Sequence, residues 1–112
     1  MRRVEKPWGH EVIWAHTNRY VGKVLHILKG HRLSLQYHKQ KDETIYVMSG
    51  RLSFTVGCAE DDLRTIILEP GTRYHIQPGL IHRMEAIETT DILEVSTPEL
   101  DDVVRLRDDY GR

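Results

Sequence analysis

The chain has 112 residues, with 16 lysines and arginines interspersed among 17 aspartates and glutamates for a formal net charge of -1. That length suits one domain, residues 1–112, with a small core, and the balanced charge provides no basic stripe for a phosphate backbone, so nucleic acid is not an expected partner. No apolar run is long enough to cross a bilayer, Met1 to Lys6 lead into no apolar signal segment, and the single cysteine, Cys58, permits no internal disulfide, which together predict a cytoplasmic protein without membrane attachment.

Along the chain, Pro7-Trp8-Gly9 reads as a turn, Glu11 to Ala15 as a short strand and Thr17-Asn18 as the turn that closes it. Tyr20 to Leu28 is the next strand, and Lys29-Gly30 turns the chain into a strand over Leu33 to His38. Thr44 to Met48, the turn Ser49-Gly50 and Leu52 to Val56 predict a hairpin rich in β-branched and aromatic residues. Cys58 falls in the following polar turn, where it reads as a tolerated loop residue. Further strands are predicted at Leu63 to Leu68, Tyr74 to Ile76, Ile81 to Ala86 and Ile92 to Ser96, separated by Pro70-Gly71 and Pro78-Gly79 turns. Short strands between regular turns indicate an all-β fold, and a double-sheet jelly roll suits their number. Residues 98–112 carry acidic residues first and basic ones later, which predicts a short C-terminal tail or helix packed on the sheet.

The stretch from Leu33 to Glu43 carries the candidate chemistry. Strict alternation puts Leu33, Leu35 and Tyr37 on one strand face and Ser34, Gln36 and His38 on the other, so an amide oxygen and an imidazole nitrogen can reach one ion. Glu43 opens the next apolar run after a short polar link, where an antiparallel return brings its carboxylate alongside. His82 shares an inward face with Met84 and Ala86, while Arg83 and Glu85 face outward, making His82 the fourth candidate ligand. Two imidazoles, a carboxylate and an amide oxygen suit a divalent ion such as zinc, iron, manganese, cobalt or nickel.

Gly30, Gln36, His38, Glu43 and Gly50 follow one another at fixed intervals, and Gly71, Gly79 and His82 form a second spaced group. This pattern resembles the two motifs of the cupin superfamily, with Gln36 where a histidine is usual, Gln77 where a proline is usual and Ala86 where an asparagine is usual. The string from Gly30 to His38, the opening Pro7-Trp8-Gly9 and the ending from Asp101 to Arg112 look like the C-terminal cupin domain of type II mannose-6-phosphate isomerases. Such domains continue with further histidines where this chain has Lys39 and Gln40. The resemblance implies that Gln36, His38, Glu43 and His82 bind a divalent metal, with zinc favoured. It also implies a sugar or sugar phosphate as substrate, and fold analogy adds a homodimer.

An aldose–ketose isomerase needs a cation to polarise a carbonyl and a base to move a proton between adjacent carbons. Glu94, on the late strand, is the candidate base, with His26 and His75 as the next candidates after it. Lys23 and Arg112 match family residues and are the candidates for holding the phosphate, Lys23 being a catalytic candidate as well. Trp8 reads as a core residue, with the wall of a sugar pocket as the other reading. Two alternatives to the isomerase stay open: a metal-containing, sugar-binding cupin without turnover, and an iron oxygenase using the same open site.

Overall fold

In the computed structural model, which describes residues 1–111, nine strands follow one another: β1 Arg2–Lys6, β2 Gly9–His16, β3 Val21–Ile27, β4 Leu35–Tyr37, β5 Glu43–Gly57, β6 Arg64–Leu68, β7 Arg73–Ile76, β8 Ile81–Ser96 and β9 Val104–Arg107. All their pairings are antiparallel. The chain forms an all-β, curled sheet of the jelly-roll type, as the spacing of strands and turns predicts. No helix among the described residues is long and apolar enough to cross a membrane.

Two long strands carry the architecture. β5 and β8 pair with each other from Glu43↔Ser96 to Gly57↔Ile81. At one end of this ribbon, β8 extends through β3 to β2 and β1, while β5 pairs with β7. At the other end, β8 pairs with β4, which continues to β9, and β5 pairs with β6. The ribbon therefore belongs to both halves of the roll, and it changes direction where its register shifts between Val47 and Leu52. Gly50 stands inside those shifts with φ of +91°. An added Cβ there would lie 2.3 Å from the Thr89 carbonyl oxygen, so the bend needs glycine for both reasons.

Alternation along the ribbon fills the interior. Ile45, Val47, Leu52, Phe54 and Ile92 are buried in one core with Ile27, Ile76 and Trp8. Burying each such large side chain contributes roughly 1.5–3 kcal/mol. The core draws on both ends of the ribbon, and Gln36, Glu43 and Glu94 of β4, β5 and β8 line a cavity beside it.

Several local expectations change. The hairpin at Ser49-Gly50 is instead a bulge in the continuous strand β5, and Ile81 to Ala86 runs unbroken into Ile92 to Ser96 as β8. Turn chemistry can supply a bulge as well as a reversal, and pairing to a partner strand as long as β8 selects the bulge. The Leu33 to His38 strand is ladder-paired only over Leu35–Tyr37. Of the two readings of the C-terminal segment, the tail packed on the sheet holds and the helix does not among the described residues: β9 pairs with β4, and the Tyr110 hydroxyl donates to the Arg32 carbonyl at 3.0 Å. Pairing with the exposed edge of β4 offers these residues backbone partners that outweigh the weak helical pattern. β1, for which no strand is predicted, pairs with β2 along its whole length.

Candidate metal centre

Each candidate ligand is placed by a different strand or strand end. Gln36 on β4 stands opposite His82 on β8, and the shared register puts both on the inward face. Glu43 is the first residue of β5, inward like Ile45 and Val47 after it. His38 follows the end of β4. His38, Glu43 and His82 are all buried, and one ligand atom from each lies within 4.8 Å of the others.

Backbone carbonyls set the tautomers. His38 Nδ1 lies 2.6 Å from the Asp102 carbonyl and His82 Nδ1 lies 3.0 Å from the Leu80 carbonyl. A carbonyl only accepts, so each Nδ1 carries a proton and, in the neutral ring, Nε2 holds the free lone pair. Both Nε2 atoms face Glu43 Oε1, His38 at 3.0 Å and His82 at 3.5 Å. His82 Nε2 and Glu43 Oε2 are buried without hydrogen-bond partners. Burial, acting more strongly than the neighbouring Glu43 charge, lowers the His82 pKa and keeps the ring neutral. A neutral His82 with its Nε2 unpartnered in the interior, beside the His38 ring on the same Glu43 carboxylate, fits a divalent cation, and the carbonyl bonds are the outer support that such ligands need. Gln36 lines the same cavity, where its Oε1 accepts the Ser34 hydroxyl at 2.6 Å and keeps a second lone pair.

Beside this cluster lies a cavity of about 270 Å³ whose wall includes Gln36, His38, Glu43, Glu94 and Lys23. The buried Lys41 ammonium stands 3.2 Å from Glu43 Oε2 and 3.2 Å from Glu94 Oε2. Its pair with Glu43 has the distance of an ion pair without hydrogen-bond direction, which leaves Oε2 unsatisfied. Burial pulls the Lys41 pKa down, but the two carboxylates outweigh it and the net shift is upward. Burial likewise pushes Glu43 up, yet the His38 hydrogen bond and the Lys41 charge hold it well below the usual carboxylate range. Glu94 goes the other way. Burial and then the Glu43 charge push it up to about 7.

The sequence-based candidates thus fall into two groups. His38, Glu43 and His82 gather in one cluster, and Gln36, Glu94 and Lys23 share the cavity beside it. Lys23 is buried with its ammonium 3.5 Å from Glu11, and Trp8 is a core residue on the cavity wall. His26 and His75, the next candidates for the base, do not line the cavity: His26 bonds Asp91 at 2.6 Å and His75 bonds Asp42 at 2.6 Å, each with its ring partly or largely in solvent. Those rows of the sheet face outward. Arg112 lies outside the described residues.

Sequence reasoning missed Lys41 and Asp102. Lys41 was hidden in a polar link, although its two-residue offset from Glu43 places it on the same strand face. Asp102 has no local signal. Its carboxylate accepts the backbone N–H groups of Lys39, Gln40 and Lys41 at 3.0, 2.6 and 2.8 Å, and these bonds lower its pKa to about 2.

Residues 23–96 match the family described as the cupin domain. The chain is 30% identical over 116 residues to the xanthan biosynthesis protein XanB of Xanthomonas campestris pv. campestris, an alignment covering 99% of this chain and 24% of XanB. It is 30% identical over 114 residues to the alginate biosynthesis protein AlgA of Pseudomonas aeruginosa, covering 97% of this chain and 23% of AlgA. The chain spans about a quarter of the length of these relatives. Among solved structures, the Bacillus subtilis oxalate decarboxylase with Mn(II) centres superposes with a TM-score of 0.80 at 20% identity, over 95% of this chain and 30% of that one.

Proposed function

Because the chain belongs to the cupin domain family, we propose that it is a metal-dependent sugar-phosphate isomerase of the mannose 6-phosphate to fructose 6-phosphate kind. The observation that carries this reading is the buried, unpartnered His82 Nε2, which faces Glu43 beside His38, with His38, Glu43 and Glu94 on the wall of one cavity. The relatives XanB and AlgA, named for polysaccharide biosynthesis, support a sugar-related role. The Mn(II) centres of the oxalate decarboxylase accord with a divalent ion in such a site.

His38, Glu43 and His82, with Gln36 as the fourth donor, would hold the ion, zinc being favoured by the resemblance to type II mannose-6-phosphate isomerases. When bound, a divalent cation polarises the substrate carbonyl. Glu94, with its pKa pushed up to about 7, is suited to take the proton from C2 of the open-chain aldose and return it to C1. A second proton passes from O2 to O1 in the same isomerisation. Lys41 holds the Glu94 carboxylate against the cavity, and Lys23 lines the wall beside it.

A coupled assay with mannose 6-phosphate tests the proposal. Turnover by the metal-loaded protein that Glu43→Ala abolishes is the expected result; a wild type indistinguishable from that variant overturns it. One observation favours a second reading, a sugar-phosphate-binding cupin without turnover: the Lys41 ammonium occupies the carboxylate assigned as base. Tight binding of mannose 6-phosphate with no product would select it. A homodimer belongs to the same proposal, since Trp14, Tyr46 and Val95 are exposed. Sedimentation showing only the 13.1 kDa species would count against a dimer.

A further inference from the structure

The cavity wall contains more positive charge than its own carboxylates consume. Lys6 and Lys23 share Glu11, at 3.9 and 3.5 Å, and Lys41 is held between Glu43 and Glu94. Arg2 and Arg105 line the same cavity, and neither has an ion pair among the described residues. Asp101 is the one further carboxylate on that wall, which leaves two guanidinium groups facing one acid.

Their positions are complementary. β1 and β9 are the two end strands of the path β1-β2-β3-β8-β4-β9, so Arg2 and Arg105 reach the cavity from opposite ends of the curled sheet. Arg105 stands opposite Gln36, and Gln36 stands opposite His82. One cross-strand row therefore leads from the arginine to the candidate metal ligand. On β1, Arg2, Val4 and Lys6 line the cavity, while Arg3 between them pairs with Glu5 outside it at 3.1 Å.

We propose that Arg2 and Arg105 form the subsite for the phosphomonoester group of a sugar phosphate whose carbonyl end lies at His38, Glu43 and His82, an inference that rests on the sugar-phosphate reading above. Two guanidinium groups arriving from different sides suit a tetrahedral dianion, whose oxygens accept from several directions. A planar carboxylate accepts one fork in its own plane and uses only one of the two arginines well. Lys23 is buried against Glu11, whereas Arg2 and Arg105 are exposed and without ion pairs among the described residues, so the two arginines rather than Lys23 are free to turn toward an anion.

The test uses the metal-loaded full chain, with mannose 6-phosphate turnover and inorganic phosphate binding measured separately, the latter by calorimetry. Arg2 and Arg105 are exposed, so Arg2→Gln and Arg105→Gln leave the core packing untouched. Each is expected to raise KM for mannose 6-phosphate, and to weaken phosphate binding, by about tenfold or more, the size of a lost charge-assisted hydrogen bond. Arg105→Lys should recover part of the loss, and the outward-facing Arg3→Gln should change neither quantity. If mannose 6-phosphate is not turned over, yet phosphate binds and Arg105→Gln weakens it, the isomerase reading falls and the anion subsite stands. If turnover is present but the double variant keeps wild-type KM and phosphate affinity, the subsite is overturned while the isomerase survives. Failure of the wild type to bind phosphate at millimolar concentration also overturns the subsite.

Discussion

The Lys41 ammonium donates to a Glu94 carboxylate oxygen at 3.2 Å in a place where both side chains are buried, and the same ammonium stands 3.2 Å from Glu43. One cation thus serves two buried carboxylates on the cavity wall. Removing it leaves like charges facing each other in the interior. Lys41→Met should destabilise the metal-free protein by about 3 kcal/mol, the cost of orphaning a buried charge. Urea unfolding with and without added zinc checks this, because a bound cation would restore part of the loss; unchanged stability in both conditions would count against it.

Asp102 reaches the centre twice, through its carbonyl to His38 Nδ1 and through its carboxylate to the N–H groups of residues 39–41. The carbonyl bond survives any side-chain substitution, but the loop that delivers Lys41 and leads to Glu43 does not keep its cap. Asp102→Ala is expected to weaken metal affinity about tenfold to hundredfold, the usual effect of losing a group that supports a ligand. Competition with a chromophoric chelator measures it.

Glu94 sets a pH dependence whose sign can be worked out. Its pKa is raised in the folded protein from 4.5 to about 7, so unfolding releases a proton between those values. The protonated carboxyl is compatible with burial below pH 4.5. As pH rises through the folded pKa of about 7, that stability is lost. Glu94→Gln, which stays neutral, should therefore be more stable than wild type at pH 8 and similar to it at pH 4.5 in metal-free protein. Denaturation at the two pH values decides; equal differences at both would reject the assignment.

Gly50 offers a prediction about the fold alone. Alanine there must adopt φ near +91° and place its Cβ against the Thr89 carbonyl. Gly50→Ala should destabilise the protein by about 1–3 kcal/mol, as expected for strain at a positive φ with no room to relax. Thermal unfolding reports it, and a change below a few tenths would mean that the ribbon bends elsewhere.

The amino-acid sequence by itself determined the all-β class, the turns at Pro70-Gly71 and Pro78-Gly79 and the inward faces of Gln36, His38 and His82, because a two-residue period and glycine or proline punctuation are local properties of the backbone. Glu43 was legible for the same reason, and Lys41 could have been, by its parity with Glu43. Only the tertiary structure decided that Ser49-Gly50 bends a continuous strand, that residues 104–107 form a strand against β4, and that Lys41 lies between Glu43 and Glu94. It also revealed Asp102 as the group that caps the loop after β4. These are contacts between segments tens of residues apart, and their free energy comes from burial and from pairing with partners that no local window contains.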